Sequence, residues 1–482
     1  MKRQRKGIRR KRLLFWPLAA VLVLYASMIV WHTFKPLPSG ISYEGEFRTA
    51  GSVEMLTDLS FAQDQEGKGL ESELEIFQEI YAVIDEAEQF IVADYFLFDH
   101  YGTRGKDFPD IAGTLTDHLV AKKEANPDMP IFFITDPLNI GYGSYGSPYL
   151  DRMQSAGIEV VITDLHQLRD SFPLYSGLYR LFFQWPANRG EGWLPNPMAK
   201  DAPDLTLPSY STLLNVKANH RKTIVTEKEA IVSSANPHNA SGLHGNMAFK
   251  VSGEVLNDIL EAEEAVSLMS GGPELPRAEV TAEEGPYRVQ YLTEQQTLHA
   301  LLEDLEEAGE GDDVWLGMFF LAKRDIIEAI EEAAGRGADI RIILDPNKNS
   351  FGREKSGIPN RPVVHEILRD SPPNLQIRWY NTVVGQYHTK TIMIRTAEGV
   401  VISGGSSNYT ERTLDDYNLE ANLRIEAPAN SGLVKEMEAY FERLWRNEDA
   451  LYTLDAEAYQ NDWTRWQRGI YALQKALKIT TY

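Results

Sequence analysis

The chain has 482 residues, 43% of them apolar and 24% charged, with no cysteine and a formal net charge of −22. This length and apolar fraction indicate two or three globular units with a sizeable core and exclude disorder; the lack of cysteine excludes disulfides, thiolate catalysis, iron–sulfur ligation and cysteine-type zinc sites. Eight Lys/Arg and no acid precede Phe34, which leaves 40 Lys/Arg against 70 Asp/Glu, a net −30, for everything after it, and a body this acidic disfavours long polyanions such as nucleic acid.

The basic flank from Lys2 to Arg12 runs into nineteen uncharged, largely apolar residues, Leu13 to Trp31. At helical rise these come close to spanning a hydrocarbon core of about 30 Å. The following Lys35-Pro-Leu-Pro-Ser-Gly40 offers no small-residue cleavage site of a signal peptide. Residues 1–34 are therefore expected to form a single-pass anchor in the cell membrane, with the basic flank cytoplasmic and the remainder extracytoplasmic.

Beyond the anchor the same order of elements occurs twice. Val53-Glu-Met-Leu-Thr-Asp58 resembles Val289-Gln-Tyr-Leu-Thr-Glu294. A helical face follows each, Ile76, Phe77, Ile80, Val83 and Ile84 in the first copy and Leu298, Leu301, Leu302 and Leu305 in the second. Buried-strand runs come next, Phe90 to Phe98 and Val314 to Leu321, then Ile131 to Pro137 and Ile340 to Pro346. Strands alternating with helices predict α/β units with largely parallel sheets. The expected organisation is a first unit over 35–270, a Gly/Pro-containing linker over 271–288, a second unit over 289–450 and a helical tail over 451–482 that includes Trp463 and Trp466. Asp136 and His220 lie 84 residues apart, Asp345 and His388 only 43, so the first copy holds an insertion of about 41 residues. It falls near 168–212 and includes the aromatic run Phe172 to Trp185, suited to a membrane interface, an acyl channel, a lid or ordinary packing.

Each copy ends in a strand, a turn and a returning strand with the same polar residues. The first carries His220, Lys222, Ser234 and Asn236; the second carries His388, Lys390, Ser406 and Asn408. One His-x-Lys pair says little. Two pairs, each with its residues two apart on a strand and so on one face, predict a pseudo-symmetric pocket with two imidazoles, two ammonium groups and two amides. These groups suit attack at a phosphodiester. One imidazole serves as nucleophile and the other as general acid and then base. Lys222 and Lys390 neutralise phosphate oxygens, and Ser234, Asn236, Ser406 and Asn408 bind the phosphate as donors. The chemistry requires no metal and no cofactor. Competing readings are solvated bystander residues on a duplicated architecture and zinc at His220, His238 and His244, for which no ligand spacing of H-E-x-x-H type is present.

Paired His-x-Lys motifs, each followed by Ser-x-Asn in a duplicated α/β chain, resemble the phospholipase D superfamily, cardiolipin synthases included. The resemblance covers about Val53 to Asn447. It implies two pseudo-symmetric phospholipase D-like α/β halves packed together, here preceded by one transmembrane helix, with a metal-free site between them and a phosphohistidine intermediate. It also gives Glu420, twelve residues after Asn408, the role of a carboxylate that orients a motif histidine. The chain departs from the family pattern in four places: Glu227 and Arg395 stand where an Asp follows the Lys by five, Ser233 where a Gly precedes Ser234, and Asn246 near the expected second carboxylate. Because Asn lacks the charge, His388 is expected to be the nucleophile and His220 the general acid. Location and charge favour a membrane glycerophospholipid substrate, hydrolysed or exchanged; the alternatives are a cardiolipin synthase-like transferase, a nuclease and a non-catalytic membrane-tethered binding protein.

Overall fold

The periodicity of the first helical face is realised in the helix Ile76–Glu86, which buries Ile76, Phe77, Ile80, Val83 and Ile84; each such side chain withdrawn from water contributes about 1.5–3 kcal/mol. Its counterpart, Glu294–Glu307, buries Leu298, Leu301 and Leu305. A computed structural model describes residues 2–459, apart from 103–107, 187, 189, 283, 351–352, 355, 371 and 384, and residue 469. The expected helical tail lies outside the described residues from 460 on, with Trp463 and Trp466; its beginning forms the strand Thr453–Asp455 and a short 3₁₀ turn.

The first sheet runs in spatial order Glu71–Leu74, Val53–Phe61, Asn246–Ser252, Glu229–Ser233, Lys222–Thr226, Ile91–Tyr95, Ile131–Thr135, Glu159–Ile162. The second runs Arg48–Ala50, Tyr287–Leu292, Asn422–Ala427, Val400–Gly405, Lys390–Arg395, Asp313–Met318, Asp339–Leu344, Leu375–Tyr380, Thr453–Asp455. From Val53–Phe61 and from Tyr287–Leu292 onward the two orders match strand for strand until the second sheet adds its last strand. The sheets are mixed, which corrects the expectation of largely parallel ones. Only the strands joined by helical crossovers pair in parallel, Ile91–Tyr95 with Ile131–Thr135 and that with Glu159–Ile162, and likewise in the second half. The hairpins that carry the motifs are antiparallel, as short connections demand.

Helices cover the outer face of each sheet, and a shared core fills the space between them. Val225, Val232 and Phe249 of the first sheet meet Met393, Ile402 and Ile425 of the second there, with the helices Val255–Met269 and Gly432–Arg446. The sheets approach closely at Gly404, where an added Cβ would come within 2.6 Å of the Phe249 ring. At the amino terminus the helix Lys2–Phe34 contains a segment, Phe15–Phe34, long and apolar enough to cross a membrane.

Candidate active site

Each motif occupies the start of a central strand. Lys222 lies in register with Tyr95 and Lys390 with Met318, the last residues of the neighbouring strands. Phe96 and Phe319 follow, and each ring packs 4.9 Å, centroid to centroid, from the motif histidine of its own half, His220 or His388. Each lysine turns back to donate to the carbonyl of its histidine, Lys222 at 2.6 Å and Lys390 at 2.8 Å, and has its ammonium 5.3 or 5.4 Å from the same phenylalanine ring. Behind the motifs, Asp136 accepts the N–H of Asn219 and Asp345 that of Tyr387, fixing the residue before each histidine.

The two halves exchange their orienting groups. The N–H of His220 donates to Leu419 O at 2.8 Å and the N–H of His388 to Gly245 O at 2.7 Å. These bridges bring Glu420 of the second half to His220 of the first, Nδ1 to Oε2 2.9 Å, and Asn246 of the first half to His388 of the second, Nδ1 to Oδ1 3.1 Å. Ser406 donates to the same Glu420 Oε2 at 2.5 Å, and Ser234 to Asn246 Oδ1 at 3.4 Å. Both serine oxygens are in turn acceptors of a backbone N–H, from Ala421 and Met247. An acceptor at Nδ1 selects the Nδ1–H tautomer and leaves Nε2 of each imidazole for chemistry. Neither half contains a complete site. Gly385 permits the junction beside His388, because a Cβ there would lie 1.5 Å from Leu243 O of the other half.

The electrostatics are those of an anion receptor. Burial, then Lys222 and Lys390, holds His220 well below its usual range; burial, Lys390, His244 and Lys222 do the same to His388. Burial lowers Lys222 to about 7, and burial together with the charge of Lys222 lowers Lys390. Burial raises Glu420 to about 8 against the pull of Lys222, the Ser406 hydroxyl and Lys390. Cations this close and this dry repel one another, and a bound anion would relieve that repulsion.

All of His220, Lys222, Ser234, Asn236, His388, Lys390, Ser406, Asn408 and Glu420 are buried around this junction. Ser234 and Ser406, expected to bind phosphate, direct their hydroxyls to Asn246 Oδ1 and Glu420 Oε2 in this structure. Asn236 accepts the Leu97 N–H through Oδ1, which leaves its NH₂ as a donor; Asn408 Oδ1 has no hydrogen-bond partner among the described residues. The departures Glu227 and Arg395 lie elsewhere. Glu227 accepts the N–H groups of Glu88, Gln89 and Phe90 and ties a turn; Arg395 pairs with Glu438. Ser233 accepts the Ala235 N–H and stays within the turn.

His244, which the sequence offers only as a zinc candidate, packs 5.8 Å from the His388 ring and 5.9 Å from His238; among the described residues no group of three or more His, Asp or Glu is placed to hold a metal ion. Two further features are not singled out by the sequence patterns. The phenylalanines Phe96 and Phe319 sit at equivalent points of the repeat. The second is a buried ion cluster. Arg221 lies 3.0 Å from Glu294 and 3.5 Å from Glu263, all side chains fully buried. Glu294 Oε1 also accepts the Glu420 N–H at 2.9 Å, and Arg221 Nε donates to Glu420 O at 3.2 Å. Arg221 and Glu294 therefore clamp the backbone that presents Glu420. Arg221→Met leaves two buried carboxylates short of a partner and is expected to cost about 3–5 kcal/mol, measured as a lowered thermal midpoint accompanied by loss of activity.

A family model described as "Cardiolipin synthase, PLD-like domain" matches residues 301–445. The crystal structure of phosphatidylserine synthase from Haemophilus influenzae Rd KW20 is similar over 95% of this chain and 99% of that one, with a TM-score of 0.58 at 12% identity, a likeness of fold. Polyphosphate kinase from Porphyromonas gingivalis aligns over 89% of this chain and 53% of that one, TM-score 0.45, 11% identity. Nuc from Salmonella typhimurium, a phospholipase D family member, aligns over 35% of this chain and 97% of that one, TM-score 0.27, 17% identity. No curated protein sequence matches the chain.

Proposed function

We propose that the chain, in which residues 301–445 match a PLD-like family model and a histidine, a lysine and an asparagine from each half are buried at one junction, is a membrane-anchored phosphodiesterase that hydrolyses or transfers phosphatidyl groups of glycerophospholipids. The observation that carries this reading is the exchanged orientation of two buried imidazoles beside two buried lysines. The segment Phe15–Phe34 and the basic flank before it support anchoring with the catalytic body extracytoplasmic. The charge of −30 beyond the anchor supports a single phosphodiester over a long polyanion.

The geometry favours the reverse of the histidine roles expected from sequence. Glu420 belongs to His220, and a carboxylate on Nδ1 makes Nε2 the better nucleophile and stabilises the positive ring that forms as the N–P bond is made. His388, held by a neutral amide, is the better acid. His220 Nε2 attacks phosphorus, the P–O bond to the leaving alcohol breaks, and that oxygen takes the proton from His388 Nε2. Water or a lipid alcohol then gives its proton to His388, attacks phosphorus and releases His220. Lys222, Lys390 and the amides of Asn236 and Asn408 hold the phosphate oxygens throughout.

Purified full-length protein incubated with mixed phospholipids is expected to release phosphatidic acid if water is the acceptor, and a diphosphatidyl product if a lipid alcohol is, both read by mass spectrometry. Because the lysines supply the positive charge, the rate should persist in excess chelator. DNA cleavage in chelator with no lipid product would overturn the lipid reading.

The profile of kcat/KM against pH reports the free site, in which His220 must be neutral and His388 protonated. Burial and the neighbouring cations hold His388 well below its usual range, so activity is expected to peak on the acid side of neutrality and to fall as pH rises through the lowered pKa of His388. Asn246→Asp places a negative charge at His388 Nδ1, raises its pKa and should move the falling limb to higher pH.

A further inference from the structure

The insertion that separates the first motif from Asp136 contains the helix Pro173–Leu178 running directly into the π-helical turn Tyr179–Phe183. Ser176, Gly177, Tyr179 and Arg180 face inward and are buried. Leu174, Leu178, Phe182, Phe183 and Trp185 are between 43% and 74% exposed. Positions 174, 178, 182 and 185 fall on one stripe of a helix. An amphipathic helix on a water-soluble surface turns its apolar stripe to the core; this one turns it outward, and contiguous exposed apolar surface of this kind marks an interaction site.

The anchor shows what covers it. The insertion helix packs along the carboxyl-terminal half of Lys2–Phe34: the Tyr25 hydroxyl donates to Leu174 O at 2.7 Å, and a Cβ added at Gly177 would come within 2.7 Å of both the Tyr25 ring and Ile29. Higher up, the Asp170 N–H donates to His32 O and Arg169 Nε to Lys35 O, at 2.8 and 2.9 Å. Tyr25 precedes Phe34 by nine residues, so its contact with the insertion lies about 13 Å down the helix axis, within the stretch Phe15–Phe34 that has the length and composition of a membrane span.

We propose that the insertion helix over 173–183, with Trp185 just beyond its end, is immersed in the lipid leaflet beside the anchor, so that the partner of its outward apolar stripe is bilayer hydrocarbon. This rests on the reading of Phe15–Phe34 as a membrane span. The inner face of the helix is fastened to the catalytic junction. Arg180 Nη2 and Lys217 Nζ both lie 2.9 Å from the Asp170 carboxylate, Lys217 is three residues before His220, and Arg169 pairs with Asp416 of the second half at 3.0 Å. Immersion of the helix therefore fixes the height of the site above the leaflet, and phosphodiesters are taken from the membrane plane without leaving it.

A chain with no native cysteine permits single labels. Leu178→Cys, Phe182→Cys, Leu24→Cys in the anchor and Leu268→Cys on the exposed body would each carry an environment-sensitive fluorophore, in full-length protein reconstituted into phosphatidylcholine vesicles containing chain-labelled doxyl lipid. Quenching at 178, 182 and 24, with none at 268, is expected. Quenching at 24 with 178 and 182 as dark to the quencher as 268 overturns the immersion and leaves the anchor standing. No quenching at 24 overturns the anchor and the immersion together. Independently, the double variant Leu178→Ser/Phe182→Ser is expected to raise KM for vesicle lipid by about tenfold or more with an unchanged rate on a water-soluble short-chain phosphodiester; equal kinetics on both substrates would overturn the proposal.

Discussion

His220→Ala and His388→Ala are each expected to reduce turnover of a natural phospholipid by at least about 10³-fold, and to separate on an activated substrate. A p-nitrophenyl leaving group departs without a proton, so His388→Ala should recover the first half of the reaction and release a burst of nitrophenolate. His220→Ala has no nucleophile at either kind of bond and should release none. The contrast follows from the partner of each ring: an acidic residue reaches His220 and an amide reaches His388. A burst from His220→Ala instead would reverse the division of labour, and identical behaviour of the two variants would contradict it.

The second large effect is expected at Glu420. Glu420→Gln keeps the shape of the side chain but replaces one acceptor oxygen with a donor, which disfavours the Nδ1–H tautomer of His220 and removes the group, raised to about 8 in the free site, that can ionise to stabilise the ring as it becomes positive. A loss of about 10²–10⁴-fold in kcat is expected, with a smaller change in KM because Lys222 and Lys390 still hold the phosphate. Ser406→Ala removes the donor that steadies Glu420 Oε2 and the acceptor of the Ala421 N–H and should cost less, about tenfold. A Glu420→Gln protein with undiminished kcat would detach the carboxylate from catalysis. A simple loss of folding is distinguished by its unfolding midpoint, since the clamp from Arg221 and Glu294 acts on the Glu420 backbone and survives the substitution.

What could be seen in the sequence was local. Helical faces such as Ile76 to Ile84, the strand runs, the hairpins and the members of the site are set by periodicity and by spacing within a few residues, and the repeat made them visible twice. The parallel character of the sheets was overestimated because α/β alternation dominates the pattern, whereas the motif hairpins contribute antiparallel pairs. What stayed hidden was the exchange between halves. Glu420 and His220 are 200 residues apart in sequence, and no local rule says that a carboxylate following the second motif serves the first histidine. The same is true of Arg221, which sits inside a motif as an unremarked middle residue and becomes a buried cation only when Glu294 and Glu263 close around it. The serine hydroxyls were assigned to phosphate because a free hydroxyl can donate to it; only the fold shows them directed to Asn246 Oδ1 and Glu420 Oε2.

The most direct test of a phosphotransfer site assembled from both halves is to trap its covalent state. His388→Ala protein incubated with a short-chain phosphatidyl p-nitrophenol lacks the base for the second step, so the intermediate should accumulate. After a quench in cold neutral denaturant, peptide mass spectrometry is expected to find the phosphatidyl adduct on His220, absent when His220 is replaced and formed about 10²–10⁴-fold more slowly when Glu420→Gln is added. Turnover of the substrate with no adduct on His220, or with the adduct on another residue, would contradict the proposed mechanism.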